Sequence, residues 1–482
     1  FAGLLRVRPA LGKVGGQRGK ARARRGGERM AYSPGDAVRL SVHDLNHDGD
    51  GVARAHDGRV FFVPGALPGD TVLARVCELK KRHAVAELLA VESPSSGRIE
   101  PPCPVAGECG GCAIQAFDYP QQLAWKERRV KEALGRIGGL SAPVHPILGM
   151  DEPFRYRNKA QYPIRRTGSG AVVAGFYRRG SHDVVPAEDC LVQHPLIPPA
   201  VRAATRLIQD LGLSVYDERT GRGFVRHVVV RAGFSSEELM VVLVTSAAEF
   251  PLKEAWTRGL REALPRLVSA VQNVNPESTN AIMGRESLTL WGSRYILETL
   301  EGVTYEISAN SFFQVNPRQA ERLFGVVRRF AGLSGAETVW DVYCGAGSIG
   351  LFLCRDGGRL RGVDVVPEAI ADARRNAARN RMEDRALFET GRAEDVLPRW
   401  LKEGERPDVC LLDPPRKGSD PVTLESVFRS RPRRIVYVSC NPSTLARDLA
   451  FLCERGYRLV EVQPVDMFPH TPHVEAVAHL VA

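Results

Sequence analysis

The sequence predicts an α/β chain: a C-terminal doubly wound, Rossmann-like parallel sheet, preceded by a small OB-like β-barrel and a central α+β segment. Three observations predict it. Apolar, β-branched runs at 338–342, 360–366, 408–412 and 434–439 alternate with helical stretches at 367–381 and 444–456, and such alternation builds a parallel sheet with helices on both faces. Residues 35–91 carry instead short β-rich runs broken by turns, the pattern of a small barrel. Finally, 482 residues are too many for one packed core. The expected division is a basic disordered tail at 1–32, a barrel at 33–92, a central domain at 93–300 and the doubly wound domain at 301–482.

Composition bounds the function. With 44% hydrophobic and 25% charged residues, the chain is neither mainly disordered nor collagen-like nor membrane-embedded. No run of 18 apolar residues occurs, so no transmembrane helix and no membrane partner are expected. The net charge of +10 suggests a polyanion, nucleic acid before membrane. Residues 1–29 hold nine basic side chains and one acid, Glu28, which is eight of those charges and leaves +2 for 30–482. The tail lacks the apolar core of a secretory signal, and Met30 has the look of a natural start. Nucleic-acid binding by the folded body therefore rests on local cations such as Arg155, Arg157 and Lys159, or Arg178 and Arg179. Ten unevenly spread cysteines do not make a disulfide scaffold, so a reducing, cytoplasmic compartment is expected.

The elements follow in order. Strands are predicted at 38–42, 51–54, 60–63 and 71–76, with a turn at Asp57-Gly58. Glu92-Ser-Pro-Ser-Ser-Gly97 is a linker. Cys103, Cys109 and Cys112 crowd into ten residues beside three glycines; core packing does not require this, and it reads as a metal site. A helix is predicted over 119–138, and the segment 155–300 mixes strands such as 227–231 and 239–244 with helices.

The chemistry concentrates after the strands of the last domain. Asp341-Val-Tyr343-Cys-Gly345-Ala-Gly347-Ser-Ile-Gly350 has G-x-G-x-x-G spacing at a strand-to-helix turn, and Asp364 ends the next strand. Glycines let a nucleotide approach the backbone, and the acid can accept ribose hydroxyls; these letters alone do not choose between NAD and S-adenosylmethionine. Asp413-Pro-Pro-Arg416-Lys417 places an acid, two prolines and two cations where the sheet opens, a rigid polar loop suited to holding a planar base. Cys440 ends the next strand just before a helix, where helix N-termini favour the thiolate. Cys354, Cys410 and Cys453 lie in apolar runs and read as buried structural thiols. In Phe468-Pro-His470-Thr-Pro-His473-Val-Glu475 the acid lacks the helical pairing of zinc sites, and a base or a positioning role fits better.

Together these residues resemble the S-adenosylmethionine-dependent RNA uracil-5-methyltransferases, those of 23S ribosomal RNA above all, from about Ser33 to the C-terminus. The resemblance implies an RNA-binding TRAM barrel, a [4Fe-4S] cluster on Cys103, Cys109, Cys112 and the distant Cys190, and cofactor contacts from Gln314, Tyr343, Asp364 and Asp413. Ser348 stands where some members have Asn, and Gly391-Arg-Ala-Glu394 lacks an Asp often found beside the adenine. The resemblance further implies that Cys440 adds to uracil carbon 6, that Glu475 removes the carbon 5 proton, and that the target uridine is flipped out towards Asp413 and Arg416. A monomer acting on ribosomal RNA is expected, with transfer RNA as the alternative substrate.

Other readings stay open at this level. Five residues separate Cys103 from Cys109, which does not match the C-x-x-x-C-x-x-C of radical S-adenosylmethionine enzymes. Four thiolates could hold zinc. Similar Asp-Pro-Pro loops occur in adenine N-methyltransferases, although there an aromatic residue usually takes the place of Arg416. A non-catalytic RNA-binding iron-sulfur protein would keep the fold without Cys440 and Glu475 having work to do.

Overall fold

The computed structural model describes residues 32–187 and 189–482; the basic stretch 1–31 expected as a disordered tail lies outside them. Tyr32, drawn into that tail from sequence, packs edge-on against Phe61 with ring centroids 5.2 Å apart and closes one side of the barrel core.

Five strands make the barrel: β1 (Ala37–Leu45), β2 (Gly51–Arg54), β3 (Val60–Val63), β4 (Thr71–Leu79) and β5 (His83–Ser93). They close in the order β1-β2-β3-β5-β4, with β1 antiparallel to β4. Alternation does the work: Leu40 and Val42 point inward from β1 while Arg39, Ser41 and His43 face outward, and past a bulge Leu45 packs instead against Ile114, Phe117 and Trp125.

The cysteine segment leads into helix α1 (Tyr119–Arg136). Although α1 lies in the span expected as one central domain, its Val130, Ala133 and Leu134 join the core of the C-terminal domain, and Val144 and Leu148 bridge to Val462 and Val465. The central sheet has seven strands, β6 (Lys159–Arg166), β7 (Val172–Tyr177), β8 (Val184–Pro186), β9 (Val225–Ala232), β10 (Leu239–Thr245), β11 (Leu267–Val274) and β12 (Glu286–Gly292), in the order β12-β11-β10-β9-β6-β7-β8. Helices α2 (Ile197–Asp210) and α3 (Lys253–Ala263) cover one face. A hairpin, β13 (Tyr295–Leu300) and β14 (Val303–Ser308), then leads to α4 (Pro317–Ala331), whose first turn is capped by the Asn316 side chain.

The C-terminal domain alternates β15 (Thr338–Val342), α5 (Ser348–Leu353), β16 (Arg359–Asp364), α6 (Pro367–Arg379), β17 (Ala386–Thr390), α7 (Ala393–Lys402), β18 (Val409–Leu412), α8 (Pro421–Ser430), β19 (Arg434–Ser439), α9 (Pro442–Glu454), β20 (Arg458–Val465) and β21 (Glu475–Val481). The sheet order is β17-β16-β15-β18-β19-β21-β20, parallel from β17 through β19, with β21 antiparallel to both its neighbours. Strands buried on both faces, such as the uninterrupted apolar run of β18, are what a sheet covered on two sides demands. The order reverses between β15 and β18, so the crevice where a ligand binds opens above these two strands. Cys354 and Cys410 are buried in this core as expected, whereas Cys453 is only half-buried, packed at the edge of the core. Among the described residues no helix is long and apolar enough to cross a membrane.

Candidate active site

The loop after β15 is shaped by its glycines. Gly345 and Gly347 adopt φ of 53° and 76°, and Tyr343 shares that left-handed conformation at 70°. A Cβ on Gly350 would stand 2.4 Å from an Asp341 carboxylate oxygen, which accepts the Gly350 N–H at 3.1 Å. Asp341 is buried, and burial together with the charges of Asp413 and Asp364 raises its carboxyl to about 8. Asp364 accepts the backbone N–H groups of Gly345 at 3.0 Å and Val366 at 2.9 Å, tying the glycine loop to the end of β16. Tyr343 packs half-buried against the helix side of the sheet, its hydroxyl turned towards Ser419 and Thr423 at the start of α8.

Asp413 follows β18, and burial pushes its carboxyl up to about 7. The loop it opens is held by the start of α9: the Arg416 carbonyl accepts from Asn441 Nδ2 at 3.1 Å and from the Thr444 hydroxyl at 3.3 Å, and the Lys417 carbonyl accepts from Arg447 at 3.0 Å.

Cys440 and Glu475 meet through strand register. Ser439 pairs with Ala476 across β19 and β21, so the next position along the ladder sets Cys440 opposite Glu475. The Glu475 carboxyl is buried and raised to about 8, first by that burial and then by Asp413, with Arg416 pulling the other way. The Cys440 thiol is likewise pushed up to about 11, by burial, by Glu475 and by Asp413, against the opposing effect of Arg416. This corrects the expectation of a thiolate favoured by the helix N-terminus. Asn441 is the N-cap of α9, and its side-chain oxygen takes the Ser443 N–H at 3.0 Å; Cys440 lies one residue outside the cap, where burial first and then the nearby carboxylates oppose the thiolate.

The segment joining β20 to Glu475 is fixed by a network that sequence reading missed. Lys126, fully buried on α1, sits 2.6 Å from an Asp466 oxygen and donates to the Phe468 carbonyl at 3.0 Å. The Tyr119 hydroxyl donates to the other Asp466 oxygen at 2.9 Å. Gln122 accepts the His470 N–H at 2.9 Å, and Tyr156 donates to the Pro469 carbonyl at 3.0 Å. A signal existed: Gln122, Lys126, Val130, Ala133 and Leu134 fall on one stripe of α1, and a lysine inside an apolar stripe announces a buried partner.

Gln314 lies between β14 and α4, half-buried, its carbonyl accepting from Asn158 Nδ2 at 3.1 Å. From the central sheet, buried Arg231 donates to the carbonyls of Ala309 and Ser311 and so grips the same loop. Neither Asn158 nor Arg231 announces this role in the sequence.

Cys103, Cys109, Cys112 and Cys190 form no disulfide and line one cavity of about 570 Å³. Gly110 donates to the Tyr177 carbonyl at 2.9 Å and Cys109 bridges to Arg178, pinning the cysteine loop to the central sheet, while Arg155 and Arg157 hold the Cys190 loop through Leu191 and Val192. Burial, then the other three thiols, pushes Cys112 up to about 12. Among the described residues no three His, Cys, Asp or Glu side chains stand at the spacing of a single metal ion's ligands.

Fold and crevice together define a class I methyltransferase. Residues 33–89 match the TRAM domain and residues 402–482 match the family tRNA (Uracil-5-)-methyltransferase. An RNA methyltransferase of Halalkalibacterium halodurans is 46% identical over 446 residues, covering 92% of this chain and 97% of its own length; one of Listeria innocua is 45% identical over 444 residues, with 92% and 97% covered. The crystal structure of Pyrococcus abyssi tRNA (uracil-54, C5)-methyltransferase in complex with S-adenosyl-L-homocysteine is 30% identical, with a TM-score of 0.75 over 92% of this chain and 100% of that one. The chain belongs to the RNA (uracil-5-)-methyltransferase family.

Proposed function

We propose that this methyltransferase transfers a methyl group from S-adenosylmethionine to carbon 5 of a uridine in 23S ribosomal RNA through a covalent adduct on Cys440. The observation that carries the reading is the strand register that sets Cys440 opposite Glu475 at the ends of β19 and β21, with Arg416 and Asp413 close enough to act on the charge of both. Asp364 would accept the ribose hydroxyls, and Tyr343, Gln314 and Asp413 would complete the seat. The donor supplies an electrophilic methyl group on a sulfonium.

Uracil carbon 5 is a weak nucleophile. Sγ of Cys440 adds to carbon 6 as its proton leaves to solvent, the ring electrons shift to oxygen 4, and Arg416 offsets the charge that develops there. The enolate's electron pair at carbon 5 then takes the methyl group, and the bond to the donor's sulfur breaks with its pair left on sulfur as a neutral thioether. Glu475 removes the carbon 5 proton, the double bond re-forms and the thiolate is expelled. A carboxyl raised to about 8 is a stronger base than an ordinary glutamate and still ionises near neutral pH. The uridine must leave its stack to reach so enclosed a site, and the TRAM barrel is the RNA-binding module expected to hold the surrounding strand.

The four cysteines line one cavity, where they would hold the [4Fe-4S] cluster that the family resemblance implies; zinc on the same four thiolates is the alternative. The iron-sulfur cysteines favour a ribosomal target by resemblance. The Pyrococcus abyssi relative acts on transfer RNA, which supports a transfer RNA uridine as the second reading. Mapping 5-methyluridine by mass spectrometry in ribosomal and transfer RNA, with and without the gene, decides between them. Protein purified without oxygen should contain iron and acid-labile sulfide; a colourless, zinc-rich preparation contradicts the cluster.

A further inference from the structure

His473 lies two residues before Glu475, and its Nε2 is 3.3 Å from Nη2 of Arg416. Arginine has donors and no acceptor, so this contact fixes the tautomer: Nε2 accepts and Nδ1 carries the hydrogen. The backbone N–H of His473 donates to the Thr471 hydroxyl at 3.3 Å, fixing the main chain, and Phe468 meets the imidazole edge-on at 6.2 Å. Arg416 has no carboxylate partner among the ion pairs of the described residues, although Asp413 and Glu475 both lie near it.

We propose that His473 is a positioning residue that holds the Arg416 guanidinium over the Cys440 site through a neutral acceptor, orienting its charge without cancelling it. This rests on the covalent reading above and deepens it. A carboxylate in the same place would orient Arg416 equally well but neutralise it, and the developing charge on the uracil would lose its counterpart. Burial, together with the cations Arg416, Lys126 and Arg129 and against the weaker pull of Asp48, keeps the imidazole uncharged, lowering it to about 4. His473 therefore stays an acceptor throughout the neutral range. The groups that act on the Cys440 charge are Glu475 and Asp413, which oppose its ionisation, and Arg416, which favours it.

The test compares His473→Gln, His473→Glu and His473→Ala. Gln and Glu are near-isosteric, so the pair separates charge from fit. The readout is the pH dependence of iodoacetamide alkylation at Cys440, resolved by peptide mass spectrometry on the RNA-free full-length enzyme, beside kcat and KM for methylation. His473→Glu and His473→Ala should raise the apparent thiol pKa and lower kcat, on the order of a hundredfold for Glu, with KM for S-adenosylmethionine little changed. His473→Gln should recover at least tenfold of what Ala loses. An unchanged alkylation profile in both Glu and Ala, or losses that merely track thermal stability, overturns the proposal. Full methylation by Cys440→Ala would instead sink the covalent reading, and the alkylation experiment stands apart from that outcome because it needs no turnover.

Discussion

Ser439 pairs with Ala476 across β19 and β21, and this single register places the Cys440 thiol beside the Glu475 carboxyl. A shift of one residue would turn Glu475 to the other face of the sheet. Such a slip would also exchange the two differently filled faces, Val436, Val438 and Val477 on one and Ile435, Tyr437, Ala476 and Ala478 on the other, and so disrupt two packed cores.

The thiol's ionisation should follow from its neighbours. Glu475 and Asp413 oppose it, so Glu475→Gln and Asp413→Asn each remove a negative charge and should lower the apparent pKa of Cys440 alkylation from about 11. In the wild type, kcat/KM should rise with pH from 7 to 9, because thiolate and ionised Glu475 both increase. A profile that falls over this range, or a thiol pKa that rises in Glu475→Gln, contradicts the assignment.

Asp341 should make stability depend on pH. Its folded pKa, about 8, lies above its unfolded value of 3.8, so the native state keeps a proton that the unfolded chain has lost. Stability is then lost as pH rises from about 4 to 8. Asp341→Asn keeps an acceptor for the Gly350 N–H without the charge. The variant's melting temperature should gain on wild type steadily over that window; a constant difference between pH 5 and pH 8 refutes the account.

Gly350 tests the same contact from the other side. A methyl group there meets the Asp341 oxygen at 2.4 Å, and Gly350→Ala should cost about 1–3 kcal/mol and weaken S-adenosylhomocysteine binding measured by calorimetry. Unaltered binding and stability would show that the loop relaxes freely.

Lys126 and Asp466 are both fully buried, 2.6 Å apart. Removing one partner leaves an unpaired buried charge, so Lys126→Met should destabilise by about 3–5 kcal/mol in denaturant titrations, and Lys126→Met with Asp466→Leu should recover much of it. Because Asp466 starts the segment leading to Glu475, the single variant should also lower kcat. A single variant no less stable than the double would remove the pair's structural role.

Much of this was legible in the chain. Short β-rich runs broken by turns in the barrel and apolar runs before polar loops in the last domain predicted many elements, such as 119–138 against α1 at Tyr119–Arg136 and 367–381 against α6 at Pro367–Arg379, but not the fifth barrel strand β5 at His83–Ser93. Strand ends are short-range features, so Tyr343, Asp364, Asp413 and Cys440 could be placed at the sheet's opening. What could not be read depends on distant contacts. Lys126 meets a partner 340 residues away, α1 joins the core of another domain, and Asn158 and Arg231 grip the Gln314 loop from a separate sheet. The state of Cys440 was misjudged for a related reason: the helix end is local and visible, while the burial that raises the thiol, and after it the carboxylates from the ends of β18 and β21, come from distant parts of the chain.

The central claim is a covalent step, and trapping tests it most directly. Incubating the Glu475→Gln variant with S-adenosylmethionine and substrate RNA, then resolving protein from RNA under denaturing conditions, should reveal a methylated adduct that disappears in the double variant carrying Cys440→Ala. No adduct from Glu475→Gln, together with methylated uridine produced by Cys440→Ala alone, would contradict the account.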